Sequence, residues 1–368
     1  MCSVDDTCVK QDTIKPDPKP TPQQRRRRVW FPLVCILITF ALTEAGARLL
    51  KLGPPVYAPR RFEPTGGVPF TAINVGGKPL LAYQPDTIFA SVYDPSGDRR
   101  GYLGADGRVV YRINSLGFRG PPVAIDKPED GFRVLCLGDS ITFGEGVHEE
   151  HTFPARLQGL LADALPTRRV EVINAGVQAH GTIEQERMFF ARGLPLNPDV
   201  VILQFFLNDA MAMEETIRQN EAVTREYDLS WPGRVSRIWE IVERRRHAAR
   251  LQRAYAEATR RSFESAGWDA CRESIRRMAA VCRGQEIRLV VVIFPILWDL
   301  DAVYPFEDLH AKVAQACSAA GCESLDLLDV YRGTAASTLW VHPTDHHPNE
   351  LAHRLAAERL SRYLLKGH

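Results

Sequence analysis

Apolar runs and helix-patterned stretches alternate along the second half of this chain. Strand-like runs fall at Arg133–Leu137, Val170–Asn174, Val200–Phe206 and Leu289–Phe294, with a weaker one at Ser324–Leu328. Helix-like segments lie between them, at Phe153–Leu165, Thr182–Arg192, Asp269–Arg283 and Phe306–Ala320. A last helix, Glu350–Leu365, follows Pro348-Asn349, a helix-start signal. The strand runs are almost continuously apolar, as in a parallel sheet covered on both faces. From about residue 131 the alternation predicts an α/β fold.

One stretch interrupts it. Residues 211–268 look helical throughout, carry Trp231, Trp239 and Trp268, and exceed what a crossover needs. An arginine-rich solvated insertion fits them best; a lid or a partner surface is the alternative. Upstream, residues 66–130 hold short β-like pieces such as Val109–Ile113 among turn-forming Gly and Pro, and read as a lead-in packed on the main domain. Residues 53–65 are Pro-rich and read as a linker.

The N-terminus has a different pattern. Residues 9–24 are polar and Pro-rich, as in a disordered tail. Arg25–Arg28 then abut the apolar run Val29–Thr43, about 15 residues against the roughly 20 that span hydrocarbon. Extending to Leu52 reaches that length but takes in Glu44 and Arg48, spaced to pair with each other on a helix. A signal-anchor helix, a signal peptide cleaved near Ala45-Gly46-Ala47 and a buried core helix all compete. The four arginines argue against the core helix, and the long polar stretch before them favours the anchor. Arginines on the N-terminal side keep that end cytoplasmic and place the rest in the periplasm or outside the cell. The expected organisation is a basic cytoplasmic tail (1–28), a signal-anchor or signal peptide (29–52), a linker and lead-in (53–130), and an α/β domain (131–368) with a helical insertion at 211–268.

Composition changes little. The chain has 368 residues, 45% hydrophobic and 25% charged, ordinary for a globular protein, with length enough for a sizeable core. A net charge of +1 gives no support to a general polyanion-binding or nucleic-acid role. Of the 8 cysteines, Cys271, Cys282, Cys317 and Cys322 would face an oxidising compartment under the anchor topology. Cys271 and Cys282 share a helix at a rise of roughly 16 Å, beyond the roughly 7 Å that a disulfide bridges. Cys317–Cys322, Cys282–Cys322 and four reduced thiols all remain open. No C-x-x-C or similar metal spacing appears, and neither cofactor nor metal is expected.

The candidate chemistry sits at strand ends. Gly138-Asp139-Ser140-Ile141-Thr142-Phe143-Gly144 directly follows the apolar run Val134–Leu137, putting a hydroxyl where α/β proteins build ligand sites. A serine needs a base to become a nucleophile, and the base needs a carboxylate to orient it. Asp345-His346-His347-Pro348-Asn349 supplies both: residues two apart in an extended turn point the same way, so Asp345 can hold His347 while His346 points away. His342 and His353 read as structural. Asn174-Ala175-Gly176 and Phe206-Leu207-Asn208-Asp209 end the next two strands with oxyanion donors, the Gly176 backbone and the Asn208 amide. Singly, these residues are common turn-formers and helix caps.

Together the four blocks resemble a GDSL-type, or SGNH, hydrolase over about residues 131–365. Gly138-Asp139-Ser140 resembles the first block, Asn174-Ala175-Gly176 the second, Leu207-Asn208-Asp209 the third and Asp345–Asn349 the last. Two departures stand out: Ser-Ile replaces Ser-Leu, and Asp-x-His replaces the commoner Asp-x-x-His. Asn114-Ser115-Leu116-Gly117-Phe118-Arg119-Gly120 is similar to a lead-in of membrane-anchored bacterial members. The resemblance implies a three-layer α/β/α flavodoxin-like parallel sheet, with Ser140 as nucleophile, His347 as general base then acid, and Asp345 as its orienter. It places the oxyanion hole at the Ser140 and Gly176 N–H groups and the Asn208 amide. The implied activity is hydrolysis of a small ester or an acylated glycan, such as O-acetyl groups of carbohydrate or envelope material. An O-acyltransferase with the same triad and a non-catalytic binding module are the alternatives. The pocket wall would draw on residues 141–152, 177–182 and 209–232, with Trp298 and Trp340 either lining it or filling core.

Overall fold

The computed structural model describes residues 22–53, 60–64, 68–98, 100–211, 218 and 227–366. The chain divides into two compact units. The larger takes in Pro55–Glu226 and Ala248–His368; the smaller takes in the described part of Met1–Pro54 together with Tyr227–His247.

In chain order the larger unit opens with strands β1 (Arg61–Pro64), β2 (Phe70–Val75), β3 (Lys78–Tyr83), β4 (Ile88–Val92) and β5 (Arg108–Arg112). Then come β6 (Gly131–Gly138), the one-turn helix α1 (Ser140–Phe143), α2 (Phe153–Ala164), β7 (Arg169–Gly176), α3 (Thr182–Met188) and β8 (Val200–Phe206). After the insertion follow α4 (Ala266–Gly284), β9 (Arg288–Phe294), α5 (Glu307–Ala320), β10 (Glu323–Asp326) and the hairpin β11 (Trp340–His342) and β12 (Asp345–Pro348). The helix α6 (Glu350–Leu365) closes it.

The strands β10-β9-β8-β6-β7 form one parallel sheet in that order. Counted along the chain this is the 2-1-3-4-5 order of flavodoxin-like sheets, so β6 has β7 on one side and β8 on the other. The connection from β6 to β7 runs in one direction, and all later connections run in the other. Right-handed crossovers then put α2 on one face and α3, α4 and α5 on the other. The packing agrees: α2 lies against α6, while α4 lies against both α3 and α5. Central strands β6, β8 and β9 are buried almost end to end, as their continuous apolar sequence requires.

Several boundaries differ from the sequence expectation. The weak strand at Ser324–Leu328 is β10, Glu323–Asp326, and Leu328 opens a short helix instead. The Thr182–Arg192 helix keeps α geometry only to Met188 and continues as a π-turn over Phe189–Gly193. The 211–268 stretch is not helical throughout. Within its described part, residues 227–230 are extended coil, helices run Trp231–Val235 and Arg237–Ser262, and a turn follows. Trp268 already belongs to α4, where it is buried edge-on to Phe205 at 6.1 Å. Cys35, Cys136, Cys271, Cys282, Cys317 and Cys322 are all unpaired.

The lead-in forms an antiparallel sheet, β1-β4-β5, and the hairpin β2-β3. It shares a core with the turn that carries Ser140. Phe143 of α1 packs on Tyr83 at 4.9 Å, Tyr111 at 5.0 Å and Phe89 at 6.0 Å. Arg119, buried, lies over the Tyr111 and Phe143 rings at 4.7 and 4.8 Å. Its guanidinium donates to the carbonyls of Phe143, Gly144 (2.7 Å) and Val147 (2.6 Å). One side chain of the Asn114–Gly120 motif thus adds a charged donor to three carbonyls at and just after the end of α1, of which Gly144 also accepts from the Val147 N–H and Phe143 from the Asn174 amide.

In the smaller unit a single helix runs Pro22–Leu49. Expected tail residues Arg25–Arg28 are therefore helical; Gln and Arg are good helix formers and let the apolar helix extend backwards. Residues 1–21, most of that tail, lie outside the described part. Trp30–Leu49 is 20 residues, long and apolar enough to cross a membrane, and its side chains are almost wholly exposed. Glu44 pairs with Arg48 at 2.7 Å, as their spacing allows. Its carboxylate also accepts from the Arg237 and Ile238 N–H groups and the Ser236 hydroxyl, capping the N-terminus of the Arg237–Ser262 helix.

Arg119→Ala should lower stability by about 3 kcal/mol, because three buried carbonyls lose a charged donor. Denaturant unfolding measures this; a loss under about 1 kcal/mol would mean that the clamp is idle.

Candidate active site

The site lies at the carboxyl ends of the strands, beside the switch point between β6 and β8. Ser140 is the first residue of α1, and Asp139 rather than Ser140 caps it, accepting from the Ile141 N–H at 2.7 Å. The turn is tight because two glycines leave room. A Cβ on Gly138 would meet Thr142 Oγ1 at 2.0 Å, and one on Gly176 would meet the Phe143 nitrogen at 2.3 Å.

From the other end of the chain, β12 carries Asp345 and His347. Ser140 Oγ is 2.8 Å from His347 Nε2, and His347 Nδ1 is hydrogen-bonded to Asp345 Oδ1. The His347 N–H also reaches Asp345 Oδ1, at 3.2 Å. His346, between them, turns away and stacks on Trp340 at 3.8 Å. His342 bonds Thr344 Oγ1 and the Asp94 carbonyl, and His353 accepts from the Phe153 N–H. Trp340 donates its indole N–H to the Leu297 carbonyl, and Trp298 packs edge-on to Tyr255.

The three oxyanion candidates are placed unequally. Ser140 sits at the helix start. Asn208, in the turn Leu207–Ala210 after β8, is half-buried, and its amide has no partner among the described residues. Gly176 is buried at the end of β7, but its N–H already donates to Asn174 Oδ1 at 3.1 Å. It can serve an oxyanion only by sharing or exchanging that partner. Of the expected pocket wall, residues 212–217 and 219–226 lie outside the described part.

Arg60 and Tyr93 had no place in the sequence expectation, and Glu145 fell within the expected pocket wall 141–152 with no role of its own. Tyr93 OH donates to Asp345 Oδ2 at 3.0 Å, and Arg60 Nη1 donates to the same oxygen at 3.3 Å. Arg60 Nη1 also lies 2.8 Å from Glu145 Oε1. Glu145 follows the nucleophile turn between Gly144 and Gly146, so a charged residue between two glycines was its one available signal. Arg60 and Tyr93 precede and follow weak β pieces and carried none.

These charges set the ionisation of the pair. Burial opposes the Asp345 charge, but His347 and Arg60 outweigh it and hold Asp345 well below the usual carboxylate range. Burial likewise opposes a charged His347, but Asp345 outweighs it and raises His347 above its ordinary value. Behind them burial pushes Asp139 up to about 6, and burial together with Asp139 raises Asp209. Among the described residues no group of three or more His, Cys, Asp or Glu side chains could hold a metal.

Residues 136–355 match the family model of the GDSL-like lipase/acylhydrolase family, and the chain belongs to that family of ester-hydrolysing enzymes. An acetylxylan esterase of Xylanibacter ruminicola is 33% identical over 90 residues, 22% of this chain and 18% of that protein. The chain thus matches less than a fifth of that relative's length. Among solved structures, an acetylxylan esterase from Geobacillus stearothermophilus aligns at a TM-score of 0.39 and 16% identity, covering 64% of this chain and 95% of its own. A lipolytic protein of the G-D-S-L family from Desulfitobacterium hafniense aligns at 0.38 and 16%, covering 63% and 99%.

Asp345→Asn should lower the His347 titration midpoint, because burial remains and the compensating charge is lost. The imidazole resonances in an NMR titration measure it; an unchanged or raised midpoint would contradict the charge assignment. The same shifts fix how this pair affects stability. A raised His347 stabilises fully below its unfolded value and ceases to as pH rises through its folded one. A depressed Asp345 stabilises above its unfolded value, and that contribution is lost as pH falls.

Proposed function

We propose that this chain is a serine esterase in which Ser140, His347 and Asp345 act as a catalytic triad. The observation that carries the reading is the unbroken hydrogen-bond path from Ser140 Oγ through both nitrogens of His347 to Asp345. His347 Nε2 takes the Ser140 proton as Oγ attacks the ester carbonyl carbon. The negative charge that develops on the carbonyl oxygen is met by the Ser140 and Gly176 N–H groups and the Asn208 amide. The carbon–oxygen bond then breaks, and the alcohol leaves with the proton from His347. Water, deprotonated by His347, attacks the acyl-enzyme and releases the acid and Ser140.

The substrate class we favour is an O-acetylated carbohydrate or envelope glycan. It is supported by the name of the partial relative, an acetylxylan esterase, and by the anchor reading below. An O-acyltransferase would use the same acyl-enzyme with a sugar hydroxyl in place of water, and adding a glycan acceptor to the assay separates the two. Ser140→Ala should abolish turnover of a short-chain aryl ester with folding intact, and Asn208→Ala should cost about 10²–10³ in kcat. A Ser140→Ala enzyme at wild-type rate would end the triad reading.

We further infer that the Trp30–Leu49 helix anchors the chain, with the N-terminus cytoplasmic and the α/β domain on the far side. An exposed apolar helix, Leu37 being 66% exposed, needs a cover, and a bilayer fits its length of about 30 Å. The adjoining arginines orient it. Protease added outside intact spheroplasts should degrade the α/β domain; a fully protected domain would reverse the topology.

A further inference from the structure

The Glu145 side chain is fully buried, at 0% exposure. A carboxylate there is tolerable only if every lone pair is met, and four groups meet it. Ser91 Oγ (2.6 Å), Tyr111 OH (2.8 Å) and Arg60 Nη1 (2.8 Å) surround Oε1, and the Gln178 amide donates to Oε2. Three of these groups are neutral, and the fourth is the one cation. Arg60 is otherwise placed as a surface residue, its side chain 33% exposed. Yet the nitrogen that answers Glu145 is the same nitrogen that reaches Asp345 Oδ2. A guanidinium serving only to neutralise Glu145 has five N–H groups and no need to place this one on a second carboxylate.

We propose that Arg60, held by Glu145, is a positioning residue that pins the Asp345 carboxylate against His347 and sets the charge balance under which His347 exchanges its proton. This rests on the triad reading above. Asp345 Oδ1 is left for His347 because Oδ2 is fixed by Arg60 and Tyr93. Electrostatically the two residues act in opposite senses. Arg60 works against a positive imidazole and Glu145 favours it, on top of the dominant contest between burial and Asp345. The other titratable groups near enough to interact electrostatically with His347 are Asp139 at the Ser140 turn, His346, which turns away on β12, and His353 on α6. Glu145 therefore keeps Arg60 close to Asp345 without letting its charge suppress the base.

The test is the pH dependence of kcat/KM for 4-nitrophenyl acetate with the full chain in detergent. The acid limb reports the free-enzyme base. Arg60→Gln should move that limb up by about 0.5–1 pH unit, and Glu145→Gln should move it down by a similar amount. The double variant should bring it back close to wild type, and Arg60→Lys, which keeps the charge, should shift it less than Arg60→Gln does. If Glu145→Gln fails to fold, the two Arg60 variants decide the matter, since Arg60 lies at the surface. Equal shifts in Arg60→Lys and Arg60→Gln, or no shift in either, with Ser140→Ala inactive, would overturn this proposal and leave the triad standing. An active Ser140→Ala would remove the triad and this proposal together.

Discussion

Everything at the site depends on how closely the first turn after β6 approaches the end of β7. Only glycine at 138 and 176 permits that approach, since any Cβ there would collide with Thr142 or with the backbone of Phe143. The close fit puts Ser140 at the one place in a 2-1-3-4-5 sheet where the connections diverge to opposite faces. There the helix start is open above the sheet and the side chain is presented to whatever enters. The turn is a single helical turn, and the fold ties its carbonyls down from outside the sheet with Arg119. Phe143, pinned among Tyr83, Phe89 and Tyr111, fixes the same turn from its apolar side.

The small N-terminal sheet is therefore part of what places Ser140. Its strand β4 provides Ser91, Tyr93 follows that strand, β5 provides Tyr111, and Arg60 stands just before β1. Tyr93 and Arg60 reach the histidine end of the site through Asp345; Ser91 and Tyr111 reach the serine end through Glu145. Among the described residues, Arg60 is the one that reaches both carboxylates. Polar networks of this kind are rigid only when complete, so their members stand or fall together.

The centre of the sheet was legible in the sequence because β6, β8 and β9 are buried on both faces, and burial writes itself as apolar runs. Val200–Phe206 and Glu350–Leu365 have the same ends in sequence and structure. Ser140, Asp345 and His347 were legible because each belongs to a local pattern: a strand exit, and two residues spaced to share one side of an extended segment. Arg60, Tyr93 and Glu145 were not, because their meaning is purely tertiary. Arg60 meets Asp345 across 285 positions, and no short-range spacing encodes that contact. Gly176 marks a different limit. Its place at a strand end was legible, but not that Asn174, two residues earlier, already holds its N–H.

That tertiary dependence bears on what counts as the catalytic domain. The family match begins at residue 136, after Arg60, Tyr93, Tyr111 and Arg119. A chain cut to the matched region would keep all four motif blocks, but it would lose the first five residues of β6 and the last ten of α6. It would also strip Ser91, Tyr111 and Arg60 from Glu145, free Asp345 Oδ2 to turn, and expose the Phe143 face of the Ser140 turn. A carboxylate stripped of its protein partners takes water in their place, and that changes the field at His347. The four motif blocks thus define which atoms meet at the site, while the preceding residues define the charge and rigidity with which they meet.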